Sequence, residues 1–63
     1  MPVIRVAMWT GRTHAQKQEL ARAITEAVCV IAETTPEATT IIFEDVARSN
    51  WAQAGVLASE ERK

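Results

Sequence analysis

The chain has 63 residues, 48% of them apolar and 24% charged, and its formal net charge is -1. Its one cysteine excludes an internal disulfide and its one histidine gives no zinc-type ligand set, so neither a bridge nor a metal braces so short a chain. The seven basic residues form no block or stripe, which argues against nucleic acid as a partner, and no apolar run approaches the ~18 residues of a membrane span.

Val3-Ile4-Arg5-Val6-Ala7-Met8-Trp9 is rich in β-branched residues and predicts a strand ending at the turn signal Thr10-Gly11. Ile4, Val6 and Met8 fall on one face, and Val3, Arg5, Ala7 and Trp9 on the other. Thr13 then offers an N-cap, and Gln16 three residues on completes a capping-box pattern. From about His14 to Glu33, Leu20, Ile24, Ala27, Val28 and Ile31 recur at helical spacing, with Lys17, Glu19, Arg22, Glu26 and Glu33 largely on the opposite face. Thr34-Thr35-Pro36 stops this helix, because proline disfavours helical geometry in the residue before it. Thr39 to Val46 predicts a second strand, β-branched and aromatic. Strand, helix and strand make a β-α-β unit with a right-handed crossover and parallel strands. Asn50 and Gly55 mark turns around a short C-terminal hairpin, followed by the charged tail Glu60-Glu61-Arg62-Lys63. The expectation is an α+β chain forming a single domain over residues 1–63.

A chain of this size buries only ~60% of its unfolded surface and is marginal as a monomer. One helix on a two-stranded sheet also leaves a face and both edges open. Pairing two copies gives a four-stranded sheet, and stacking the dimers hides the remaining face. Self-association is therefore expected. A lone thiol without an evident export signal fits a reducing cytoplasm.

The candidate chemistry begins at Pro2. A small second residue permits removal of Met1, which leaves a secondary amine at the head of the first strand. An ordinary α-amino group titrates at ~7.7–8.0, and desolvation lowers that value, so the nitrogen can serve as a neutral general base. With Met1 retained, the same nitrogen is a tertiary amide without a usable lone pair. Gly11-Arg12-Thr13 places a guanidinium between a strand end and a helix N-terminus, where backbone N–H groups already favour anions and a carboxylate can be held in a bidentate fork. Trp9 and Trp51 are two of only three aromatic residues and can supply the apolar surroundings that an amine base needs. Met-Pro, an arginine on a turn, and a tryptophan at a strand end each have ordinary structural explanations when taken singly. Cys29 reads as helix packing and His14 as a solvated first-turn residue. Glu44 and Asp45, adjacent on a strand, point to opposite faces and cannot form a close pair.

Taken together, Pro2-Val3-Ile4-Arg5-Val6, Gly11-Arg12-Thr13 with Gln16-Lys17, Thr39 to Val46, and Ser49-Asn50-Trp51 with Gly55 resemble the 4-oxalocrotonate tautomerase family over nearly the whole chain. The resemblance implies a cofactor-independent isomerase, of a kind met in aromatic degradation, that moves a proton in a small unsaturated 2-hydroxy or 2-oxo acid such as 2-hydroxymuconate. It implies Pro2 as acid and base, and Arg12 as the carboxylate-binding group, usually lent by a neighbouring subunit. Trp51 and Trp9 would border the pocket, and the usual assembly is a hexamer built as a trimer of dimers. Two departures stand out. Thr40 occupies the place of a second arginine that polarises the substrate oxygen, and a hydroxyl is a weaker electrophile than a guanidinium. The family's glycine-rich hairpin here reads Ala52-Gln53-Ala54-Gly55. Either another residue replaces the missing charge, with Arg5 and Arg48 as the candidates, or a different subunit provides it. The missing arginine motivates two alternatives: haloacrylate dehalogenation or hydration by the same proline, and a non-catalytic subunit paired with a homologous chain.

Overall fold

In the computed structural model, which describes residues 1–60, the alternating apolar stretch Val3–Trp9 forms strand β1 and Thr40–Val46 forms β2. The two run parallel, in a register that sets Val3 beside Thr40, Val6 beside Phe43 and Trp9 beside Val46. The ladder extends past both ends. The Thr40 N–H donates to the Pro2 carbonyl at 3.0 Å, and the Thr10 N–H to the Val46 carbonyl at 3.1 Å. Helix α1, His14–Ala32, connects the strands and opens with the expected reciprocal cap. The Thr13 hydroxyl accepts from the Gln16 N–H at 3.1 Å, and the Gln16 side chain accepts from the Thr13 N–H at 2.9 Å.

Two boundaries move by one residue, each for a local reason. The helix stops at Ala32 because Glu33 turns into the left-handed region, at φ 55°, and sends its N–H to the Cys29 carbonyl. The second strand starts at Thr40 because Thr39 belongs to a 3-10 turn over Pro36–Ala38, with its hydroxyl bonded to the Thr35 carbonyl at 2.8 Å.

After β2, a 3-10 turn at Arg48–Asn50 leads into the short antiparallel hairpin β3 (Ala52–Gln53) and β4 (Val56–Leu57). The chain then folds back, so that a last 3-10 turn, Ala58–Glu60, packs against Arg48–Asn50, and the Ala58 N–H donates to the Trp51 carbonyl at 2.7 Å. Of the predicted charged tail, Glu61, Arg62 and Lys63 lie outside the described residues.

The apolar stripe of the helix is wider than one sheet can cover. Ile24 and Val28 are half-buried, together with Ala21, Thr25 and Cys29, whereas Leu20, Ala27 and Ile31 lie on an open flank, although all five share the helical stripe. Val30 and Ile31 are 74% and 81% exposed, and Ala58 is the one buried hydrophobic residue among those described. The solvent-accessible surface is 4916 Å²; a compact monomer of this mass exposes about 4,000 Å². The radius of gyration is 14.7 Å, against about 10.6 Å for a close-packed chain of equal length. This is the shape of a protomer without a closed core of its own.

Candidate active site

The parallel register puts the proposed site residues at the two ends of the sheet. Pro2 is half-exposed at the head of β1, held through its carbonyl to Thr40, and Thr40 itself is exposed beside Val3. Trp9, Trp51 and Arg12 gather at the opposite end. Across the seven residues of β1, at ~3.3 Å each, the two ends are about 20 Å apart. One protomer therefore brings Pro2 to Thr40 and Trp9 to Trp51, and does not bring Pro2 to Arg12 or to either tryptophan.

At the far end, the two indoles meet edge to face, with centroids 6.0 Å apart and planes at 77°, the arrangement that aromatic quadrupoles favour. The Arg48 guanidinium lies over the Trp9 ring, its carbon 4.3 Å from the centroid. The backbone ties the same residues together, since the Trp51 N–H donates to the Arg48 carbonyl at 3.2 Å. Trp9 Nε1 is shielded from solvent and has no hydrogen-bond partner among the described residues. A small cavity of about 30 Å³ lies between Trp9, Trp51, Gln53, Val56 and Ala58. Nothing in the sequence announced the part of Gln53, because it depends on how the hairpin folds back.

Arg12 is exposed just beyond Gly11, whose φ of 127° is open to glycine alone among common residues. It borders an open groove of about 480 Å³ with Met8, Ala15, Gln16, Glu19 and Leu20. This groove runs along the uncovered apolar flank of the helix.

The other cations are engaged. Lys17 binds Asp45 at 2.6 Å, fastening the first part of the helix to the end of β2. Arg5 reaches Glu44 at 3.4 Å across the exposed face of the sheet, which weakens its candidacy as the missing electrophile. Glu44 and Asp45 thus face opposite ways, as their spacing requires. Arg22 bridges Glu19 and Glu26 along the helix. Its hydrogen bond and charge hold the Glu19 carboxyl below its ordinary pKa, and the same contacts raise that of Arg22. Cys29 Sγ lies 3.8 Å from the Thr39 hydroxyl, a packing contact under the helix, and His14 is exposed. Among the described residues no group of three His, Cys, Asp or Glu could hold a metal ion, and no helix is long and apolar enough to cross a membrane.

Comparison with known proteins adds the context. The family model described as tautomerase enzyme matches residues 2–61. A probable tautomerase from Ralstonia nicotianae is 41% identical over 61 residues, covering 97% of this chain and 94% of its own. The 2-hydroxymuconate tautomerase of Bacillus subtilis is 33% identical over 60 residues, covering 95% and 97%. Among solved structures, a chain of the heterohexamer 4-oxalocrotonate tautomerase from Chloroflexus aurantiacus superposes with a TM-score of 0.92 at 31% identity, covering 98% of this chain and all of that one.

Proposed function

The chain belongs to the tautomerase enzyme family, and on that basis we propose that it isomerises a small unsaturated 2-hydroxy acid of the 2-hydroxymuconate type with Pro2 as acid and base. After Met1 is removed, the neutral proline nitrogen takes the proton of the dienol hydroxyl. The π electrons shift along the chain, and the resulting ammonium returns the proton to carbon. Proton and charge balance over the cycle, and no cofactor is required. Arg12 holds a substrate carboxylate in its guanidinium fork, Thr40 offers a hydroxyl beside the proline, and Trp9 and Trp51 keep the pocket apolar enough to favour the neutral amine.

The observation that carries this reading is the position of Pro2. It heads β1 with its carbonyl fixed to β2 at 3.0 Å, so a free nitrogen there is held at the sheet edge by the ladder. Its distance from Arg12 and the tryptophans supports a site formed between subunits. Antiparallel pairing of two β1 strands about a two-fold axis sets the head of one beside the end of the other. A trimer of such dimers supplies Arg12 from a further subunit and covers the exposed helix flank. The relatives reported above carry tautomerase names, which favours isomerisation over haloacrylate chemistry. A cytoplasmic setting remains part of the proposal.

The test is steady-state turnover of 2-hydroxymuconate by protein whose intact mass shows loss of Met1, beside Pro2→Ala. The expected loss in kcat/KM is about 10²–10⁴-fold, and equal rates would contradict the assignment. Because the base must be neutral, kcat/KM should fall as pH drops, with the midpoint below the ordinary α-amino range of ~7.7–8.0.

A further inference from the structure

Of the five cations among residues 1–60, three are paired with carboxylates: Arg5, Lys17 and Arg22. Arg12 and Arg48 have no acidic partner within 4 Å among the described residues, and both stand at the tryptophan end of the sheet. Arg48 is exposed, yet its guanidinium is not left without a neighbour. Its guanidinium rests on the Trp9 ring at 4.3 Å, and its backbone is bonded to Trp51. A guanidinium held over an indole by a cation–π contact still has N–H donors to offer an oxyanion, and the contact removes part of the side-chain entropy lost on binding one.

We infer that Arg48 is a second anion-binding residue of the site: carried on the face of Trp9, it takes one carboxylate of a dicarboxylate while Arg12 takes the other. The inference rests on the proposed site between subunits, because whichever protomer lends Trp9 and Trp51 to the Pro2 of another lends Arg48 with them. It also answers the absence of charge at Thr40. No lysine or arginine occurs between Arg22 and Arg48, so Arg48 is the first cation after β1 and α1 that can reach the tryptophan pair. The 2-hydroxymuconate type of substrate already proposed, a flat conjugated acid with a carboxylate at each end, fits this pair. Its apolar middle lies against the indoles and its two charges on the two unpaired guanidinium groups.

The experiment compares two unreactive acids of equal carbon length, muconate with two carboxylates and sorbate with one, titrated against tryptophan fluorescence of the assembled protein. Wild type binds muconate more tightly than sorbate. Replacing Arg48 by Ala or by Gln weakens muconate by about 10- to 100-fold, the value of a charge-assisted hydrogen bond, and leaves sorbate within about two-fold, because a single carboxylate settles on Arg12. Arg48→Lys restores part of the muconate affinity. Arg48→Gln keeps a planar polar group over the ring, so it separates loss of charge from loss of packing. Equal weakening of both acids, or no weakening of muconate in either variant, overturns the inference. Because this readout needs no turnover, it is independent of Pro2. Absence of proline-dependent turnover in wild type would remove the catalytic reading while the two affinities still decide the part of Arg48.

Discussion

Ala54 sits where its side chain is least welcome. Together with Gly55 it forms the two-residue turn of the β3–β4 hairpin, at φ 55° and 80°, the signature of a type I′ turn that favours Asn-Gly. An alanine in the left-handed region costs roughly 1–2 kcal/mol, of which asparagine recovers a part. Ala54→Asn should therefore raise the thermal midpoint at fixed protomer concentration, by an amount equivalent to about 0.5 kcal/mol. An unchanged or lowered midpoint would mean that contacts beyond the protomer set this turn. The hairpin matters for the site because it carries the chain from Trp51 round to Ala58, which bonds back to Trp51. Residue types disclosed much here. Pro2, Arg12, Trp9 and Trp51 could be proposed from the sequence as types with a specific chemical use, and Thr40 only through the family resemblance. The seat of Arg48 on Trp9 could not, because it depends on a 3-10 turn in a stretch without periodicity.

At the scale of elements, local signals and observed structure agree where the pattern is strong. Alternation over Val3–Trp9 fixed β1 to the residue, and Thr13 with Gln16 fixed the start of the helix. The reciprocal cap satisfies two of the helix's free N–H groups, so Thr13→Ala should cost about 1 kcal/mol, read as a lower urea midpoint with unchanged slope. A changed slope would point instead to altered association. The cap also has a bearing on the site, since it fixes the helix start two residues after Arg12. Where the signals misled, tertiary context was missing. Leu20, Ala27 and Ile31 share the helical period with Ile24 and Val28, yet a two-stranded sheet is too narrow to cover them all. Periodicity reports which face is apolar, and it does not report which molecule covers that face.

At the scale of the whole molecule, excess surface, a large radius of gyration and an uncovered helix flank give one account. The protomer has the form of a part, and the proposed chemistry is split accordingly, with Pro2 at one end of the sheet and Arg12 about 20 Å away at the other. The central claim is that catalysis needs both groups and that they come from different subunits. Mixed-subunit complementation tests this most directly: Pro2→Ala and Arg12→Ala proteins are unfolded together in equal amounts, refolded and assayed with 2-hydroxymuconate. Each variant alone should be nearly inactive. If the two groups come from different subunits, statistical mixing restores intact sites, to about a quarter of the wild-type number. A mixture as inactive as its parents would place proline and arginine in one subunit and contradict the account.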